Sequence, residues 1–268
     1  MAVVLIPFIY GVIITFTDWN GLAQNIHFVG LKNYQAVLSD VAFRTSFYKT
    51  VIYVIFTVLG SNLMGLLLAL AVTKGIKGQK FFRTGFFTPN VIGGIILGYI
   101  WNFIFSFALT GLGKQLGVGW LSKSWLTDPH RALAALIIVS IWQLSGYLMV
   151  IYIAGLTNVP ADLIEAAKID GATDGQVVRN IKLPLIRNSI TICVFLAIAR
   201  TFMSFDINLS LTAGGPYKST ELIAYKIYQT AFMGMKFGIG QAEAVFLFII
   251  VAIVSLLQVY FTRRGAEQ

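Results

Sequence analysis

The residues able to do chemistry in this sequence fall into two sets. The first is the run EAAKIDGATDGQVVRNIKLP from Glu165 to Pro184. In it Glu165, Lys168, Asp170, Asp174, Arg179 and Lys182 balance to zero charge between two apolar stretches. Its chemistry is docking. Ala166 and Ala167 remove bulk, so another surface can come close, and Glu165 is placed to pair with a cation on that surface. The second set lies within the apolar stretches: Ser140, Trp142, Gln143, Ser145 and Tyr147, then Arg200, Thr201, Phe202, Ser204, Phe205, Asp206 and Asn208. Polar groups there are costly unless they meet a cavity or a partner. A cation near mid-span costs about 2.5–3.5 kcal/mol on insertion scales. Arg200 is therefore the sharpest candidate, either facing a cavity or bonded to a neighbouring helix. Asp206 is too far along the helix to pair with it on one face and reads as a span-end residue.

Covalent chemistry is not indicated. There are no paired acids and no nucleophile elbow. His27 and His130 stand in separate loops without Cys or carboxylate at ligand spacing, and the single cysteine, Cys193, lies inside an apolar stretch. No G-x-x-x-x-G-K-[ST] sequence occurs to cradle a nucleotide phosphate. The expectation is no catalytic residue, no metal and no cofactor bound by this chain.

The elements that must hold these residues are membrane helices. The chain has 268 residues, 57% of them hydrophobic and only 12% charged, with a mean hydropathy of +0.79. Apolar runs near the length that crosses a ~30 Å hydrocarbon core recur along it. Strand-like alternation over ten-residue segments, the mark of a membrane barrel, is missing. The fold class read from this is all-α: a polytopic membrane protein forming one transmembrane domain over 1–268. Six spans are expected, at about 2–17, 46–72, 86–108, 131–156, 188–211 and 239–261, with a polar loop at 157–187. The Gly94/Gly98 spacing within the third allows a close helix contact. The net charge of +9 does not point to nucleic acid, because the basic residues sit in short loops between spans. The opening residues lack the basic region and cleavage site of a signal peptide and read as a first span. Their abrupt start points to a truncated N-terminus. Lys74, Lys77, Lys80 and Arg83 make a dense loop without acids, and Arg263–Arg264 follow the last span. Lys and Arg are otherwise spread evenly over the two sides. Those two basic clusters place both termini and the 157–187 loop in the cytoplasm.

Within that loop two short helices are expected. Pro160 suits a first helical position, and Leu163, Ile164, Ala167 and Ile169 share one side. Gly171 sits where a left-handed cap wants glycine, and Thr173 with Gln176 spells a capping box for a second helix that Pro184 ends. A helix that merely rests on lipid favours Lys and Arg on its polar face. This loop is neutral and rich in small residues, which favours a protein partner.

These same residues carry a resemblance. Glu165-Ala166-Ala167, then Gly171, then Ile181-Lys182-Leu183-Pro184 is similar to the coupling loop of ABC importer permeases. Phe16-Thr17-Asp18-Trp19, Gly30-Leu31-Lys32-Asn33-Tyr34 and Leu211-Thr212-Ala213-Gly214-Gly215-Pro216 resemble the carbohydrate-uptake members, of maltose, multiple-sugar and glycerol-3-phosphate type, on the first-permease side of the heterodimer. The resemblance covers essentially the whole chain. It implies a bacterial plasma-membrane permease subunit that pairs with a second permease, docks on an ABC ATPase dimer that binds the ATP, and takes sugar from an extracytoplasmic binding protein. It implies coupling through Glu165, Ala166, Ala167, Asp170, Gly171, Ile181 and Pro184. It also carries the sugar-facing positions of maltose-type permeases onto Ser140, Gln143, Leu144, Tyr147, Ala197, Arg200, Thr201 and Ser204.

Two further readings stand beside a neutral oligosaccharide or glycoside. Arg200 could meet a phosphate or uronate, giving the same machine an anionic cargo such as glycerol-3-phosphate or an acidic sugar. An ion-coupled secondary transporter is the remote alternative, disfavoured because mid-span acids are scarce and no internal repeat is visible.

Overall fold

The computed structural model describes residues 2–22, 24–74 and 78–264. The described chain is built from helices. In order these are α1 Ala2–Ile14, α2 Lys32–Ser39, α3 Val41–Thr73, α4 Gln79–Val91, α5 Gly94–Phe103, α6 Leu109–Gln115, α7 Pro129–Thr157, α8 Ala161–Ile169, α9 Asp174–Val177, α10 Leu183–Leu185, α11 Arg187–Phe202, α12 Asp206–Leu211, α13 Ile223–Tyr228 and α14 Phe237–Arg264. Two π-turns, Ile104–Ala108 and Val178–Lys182, join consecutive helices without a break, and a third, Gln229–Met233, extends α13 before a short non-helical link to α14.

Four helices are long and apolar enough to cross a membrane alone: Val41–Thr73, Gly94–Gln115, Pro129–Thr157 and Phe237–Thr262. The bent pair Asp174–Leu185 and Arg187–Phe202 qualifies together, across a 72° bend, and Ala2–Ile14 is apolar but shorter. That set is compatible with six spans, though several limits differ from those read off the sequence. The second span begins earlier, at Val41, because Phe43, Ser46 and Thr50 are buried and hold that turn. The third is split: α4 stops at an extended Ile92, and α5 starts at Gly94 after a second glycine. The fifth is also split. Its helix stops at Phe202, Ser204 receives a hydrogen bond from the Tyr53 hydroxyl at 3.1 Å, and α12 begins at Asp206. Lys77 lies outside the described residues.

The chain divides into two compact units. The first comprises Met1–Val54, Gly94–Leu136 and Phe202–Val254. There α5 packs on α12 through the glycines singled out by their spacing. A Cβ on Gly94 would stand 2.7 Å from the Asp206 Cβ, and one on Gly98 would fall on the Ser210 side chain. Small residues at both positions are what allow the backbones to approach.

The second unit comprises Ile55–Gly93, Ile137–Thr201 and Ser255–Gln268. Its core is α7, whose Leu148, Met149, Tyr152 and Ile153 are buried. Gly65 of α3 lies against it so closely that a Cβ would come within 3.0 Å of the Ser145 carbonyl oxygen. On another face Gly146 meets the backbone of Phe86 in α4. The Tyr152 hydroxyl donates to Asn62 Oδ1 at 2.8 Å, satisfying a polar group that the apolar surroundings would otherwise penalise.

Candidate docking helix and ligand-facing residues

The loop between α7 and α11 forms as its local chemistry dictates, with two differences. Helix α8 runs from Ala161 to Ile169, and Pro160, expected at the first helical position, keeps an extended ψ of 129° and acts as the N-cap. At its other end Gly171 adopts φ +84°, the left-handed region that glycine occupies freely. The Gly171 N–H donates to the Lys168 carbonyl at 3.1 Å and the Ala172 N–H to that of Ala167 at 2.9 Å, the paired bonds of a Schellman end. Thr173 then caps the next helix: the Gln176 N–H donates to its hydroxyl, and its own N–H donates to Gln176 Oε1 at 2.7 Å. Pro184 does not end that helix. The π-turn Val178–Lys182 just before it widens the ladder, so the helix absorbs the missing N–H and runs on to Leu185. The 72° bend follows at Ile186.

Helix α8 itself buries no residue. Leu163 is 47% exposed and Ile169 85%. Glu165, Ala166 and Asp170 are exposed, and Ala167 is half-buried. No ion pair among the described residues engages Glu165. A nine-residue helix is too short to be stable on propensity alone and normally needs packing on one face. Here its termini hold it: Asp162 in the first turn, Lys168 in the last, and the Schellman end. Its apolar residues and its carboxylate remain available. Further on, Ile181 is half-buried and Pro184 exposed. An exposed Lys74–Asp174 pair at 3.4 Å ties α9 to the end of α3, a type of contact worth little.

The polar residues of α7 and α11 separate by exposure. Ser140, Leu144, Ala197 and Thr201 are buried, with the Thr201 hydroxyl donating back to the Ala197 carbonyl. Gln143 and Tyr147 are half-buried and Arg200 is exposed. The Arg200 guanidinium lies over the Tyr147 ring, 4.1 Å from its centre, and donates to Asn90 Oδ1 of α4 at 3.0 Å. Stacking and one neutral acceptor leave most of its five donors unspent, and no carboxylate neutralises it among the described residues. Asn90, placed here by the fold, carries no signal in the sequence beyond its polarity. Ser204 belongs to the first unit, bonded to Tyr53.

Residues 61–266 match the family model of the binding-protein-dependent transport system inner membrane component. The chain belongs to this family. The permease is 45% identical over 262 residues, 98% of its length and 89% of the relative's, to the probable starch degradation products transport system permease protein AmyD of Thermoanaerobacterium thermosulfurigenes. It is 33% identical, over 96% of its length and 89% of the relative's, to the multiple sugar-binding transport system permease protein MsmF of Streptococcus mutans. In fold it is similar to a chain of a bacterial ABC transporter involved in the import of the acidic polysaccharide alginate, with a TM-score of 0.86 at 21% identity, covering 98% of the permease and 91% of that chain.

A charged cluster that sequence reading missed lies in the first unit of the permease. The Lys226 ammonium stands 3.3 Å from Asp40 and 3.8 Å from Glu243, whose side chain is almost fully enclosed. Nearby the Ser46 hydroxyl donates to the buried Glu221 at 3.0 Å. Burial works against ionisation of Asp40, yet the Ala42 N–H and the Lys226 cation outweigh it and hold its carboxyl below the ordinary range. Asp40, Lys226 and Glu243 are far apart in sequence, so no spacing announces the cluster.

Proposed function

We propose that the chain is the transmembrane permease subunit of an ATP-driven importer for an oligosaccharide or related glycoside. It forms half of the translocation pathway with a second permease, accepts cargo from an extracytoplasmic sugar-binding protein, and docks on an ABC ATPase dimer. The ATPase binds and hydrolyses the ATP, and this chain carries no catalytic group or cofactor. It sits in the plasma membrane with both termini and the docking loop in the cytoplasm, so the ATPase and α8 meet on one side.

The observation that carries the docking role is α8: a short helix, closed by a Schellman end, that buries nothing of its own and presents Leu163, Ile169 and a Glu165 with no ion pair among the described residues. Closure of the ATPase pair would move α8, and the adjoining bend at Ile186 would pass that motion into α11. Ala166 and Ala167 permit close approach, Gly171 sets the angle between the two loop helices, and Asp170, Ile181 and Pro184 complete the contact surface.

Sugar as cargo is supported by the permeases to which the chain is similar, named for starch degradation products and for multiple sugars. The Tyr147 ring, the Arg200 guanidinium and the Gln143 amide supply what a hydroxyl-rich ligand needs, an apolar face and donors at its edge. Ser140, Leu144 and Thr201 shape the wall behind them, and Ser204 follows the end of α11 at Phe202. The test is uptake of malto-oligosaccharide into proteoliposomes bearing the complete importer. Uptake that requires ATP, ignores uncouplers and leaves glycerol-3-phosphate and uronates outside is expected. Transport of the anions in place of the glucan would assign Arg200 to an acidic cargo, and uptake driven by an ion gradient without ATP would refute the reading.

A further inference from the structure

The second unit contains a cleft of about 530 Å³ that neither docking nor ligand binding uses. It is lined by Arg187, Asn188, Thr191, Ile192 and Phe195 of α11 and by Val259 and Thr262 of α14. Its composition is divided. Arg187, Asn188, Thr191 and Thr262 bring polar groups, and Ile192, Phe195 and Val259 bring an apolar wall. Arg187 and Asn188 are exposed. Arg187 forms no ion pair among the described residues. From 175 to 205 the charged residues are Arg179, Lys182, Arg187 and Arg200, all cations, and α14 from Ala244 to Thr262 carries no charge.

The cleft lies where α11 leaves the bend at Ile186, beside the polar loop, and its other wall is the final turns of a membrane-crossing helix. A cation with hydrogen-bonding neighbours at a span end, continuous with an apolar wall, matches a ligand with an anionic head and a hydrocarbon tail. Basic pockets between spans at the membrane surface hold anionic headgroups by this logic.

We propose that this cleft binds one anionic phospholipid of the leaflet that meets the docking loop, with its phosphate at Arg187 and Asn188 and the upper part of an acyl chain along Ile192, Phe195 and Val259. A lipid there would brace the bent pair at the point where α8 motion enters α11. The binding claim stands without the cargo and docking readings.

The test is native mass spectrometry of the complete importer, titrated with phosphatidylglycerol and with phosphatidylcholine. In the unaltered complex one site is expected to prefer phosphatidylglycerol by about fivefold, the ratio a single cation near the surface supplies. Arg187→Gln removes that preference and Arg187→Lys keeps most of it. Should Arg187→Gln fail to assemble, Val259→Trp, which fills the apolar wall, lowers the number of tightly held phosphatidylglycerol molecules by one per copy of this chain. Equal binding of the two lipids, an unchanged preference in Arg187→Gln, or an unchanged lipid count in Val259→Trp overturns the proposal. Displacement of the lipid by soluble glycerol phosphate at matched concentration also overturns it, leaving a site for free phosphate.

Discussion

Gly171→Val separates the docking account from a purely structural one. At φ +84° the position is open to glycine, and a Cβ added there meets no atom within 4 Å. The cost is therefore conformational and not steric. An L-residue in the left-handed region costs about 1–2 kcal/mol, and a β-branched one stands at the upper end. The Schellman bonds from Gly171 and Ala172 are the ones strained, so the loss falls on the last turn of α8 and on the angle to α9. Nothing in the membrane-spanning core is touched, because α8 buries no residue. If docking needs the formed α8, binding to the ATPase weakens by roughly 5- to 30-fold, the factor that 1–2 kcal/mol gives. The assay is capture of the ATPase by the affinity-tagged permease pair, with membrane insertion and melting temperature followed alongside. Gly171→Asn is the control, since asparagine tolerates the left-handed region and should recover most of the binding. Full-strength capture by Gly171→Val, or equal loss for Asn and Val, would refute the reasoning.

Ile169→Glu places a charge on the most exposed apolar side chain of α8. It is expected to abolish ATPase capture while shifting the melting temperature by less than about 2 °C, since surface changes stay within ±0.5 kcal/mol. Gly98→Leu acts oppositely. A side chain there falls on Ser210, and overpacking of about 1–3 kcal/mol should lower the melting temperature with little change in the docking surface. Arg200→Gln removes the stack on Tyr147 and the bond to Asn90. Proteoliposome kinetics should show a higher KM for glucan with assembly intact, and loss of assembly would make the arginine structural. Asp40 ionises more readily in the fold than its ordinary 3.8 implies. Its contribution is complete above that value and is lost as pH falls through the depressed one. Melting curves taken through that acid range should flatten in Asp40→Asn.

What the sequence reveals and what it hides follow from the range of the forces involved. The loop around Gly171 was legible almost to the residue, because a left-handed glycine cap and a Thr173–Gln176 box are set by neighbours within four positions. The packing role of Gly94 and Gly98 was legible from spacing alone. Pro184 misled, since the π-turn at Val178–Lys182 absorbs its missing N–H. The breaks at Ile92–Gly93 and Met203–Phe205 fall inside stretches that the sequence reads as single spans. The Ser204–Tyr53 bond beside the second break joins residues that hydropathy cannot relate. The Ser46–Glu221 and Lys226–Glu243 contacts are long-range pairings without local signature. Most of the candidate ligand residues are polar groups that the sequence itself places on α7 and α11. Which of those groups are enclosed, as Ser140 and Thr201 are, depends on packing that periodicity does not resolve.

The central claim is that α8 is where a separate ATPase grips this chain. Site-directed crosslinking tests it most directly. A cysteine at Ile169, in a chain whose buried Cys193 is replaced by alanine, is assembled into the importer and treated with a short bifunctional reagent. A crosslink to the ATPase whose yield changes on adding ATP, with none from a cysteine at Leu116 in the loop beyond the third span, is the predicted result. A cysteine at 169 that couples only to lipid or reacts freely with solvent reagent while uptake continues would contradict the account.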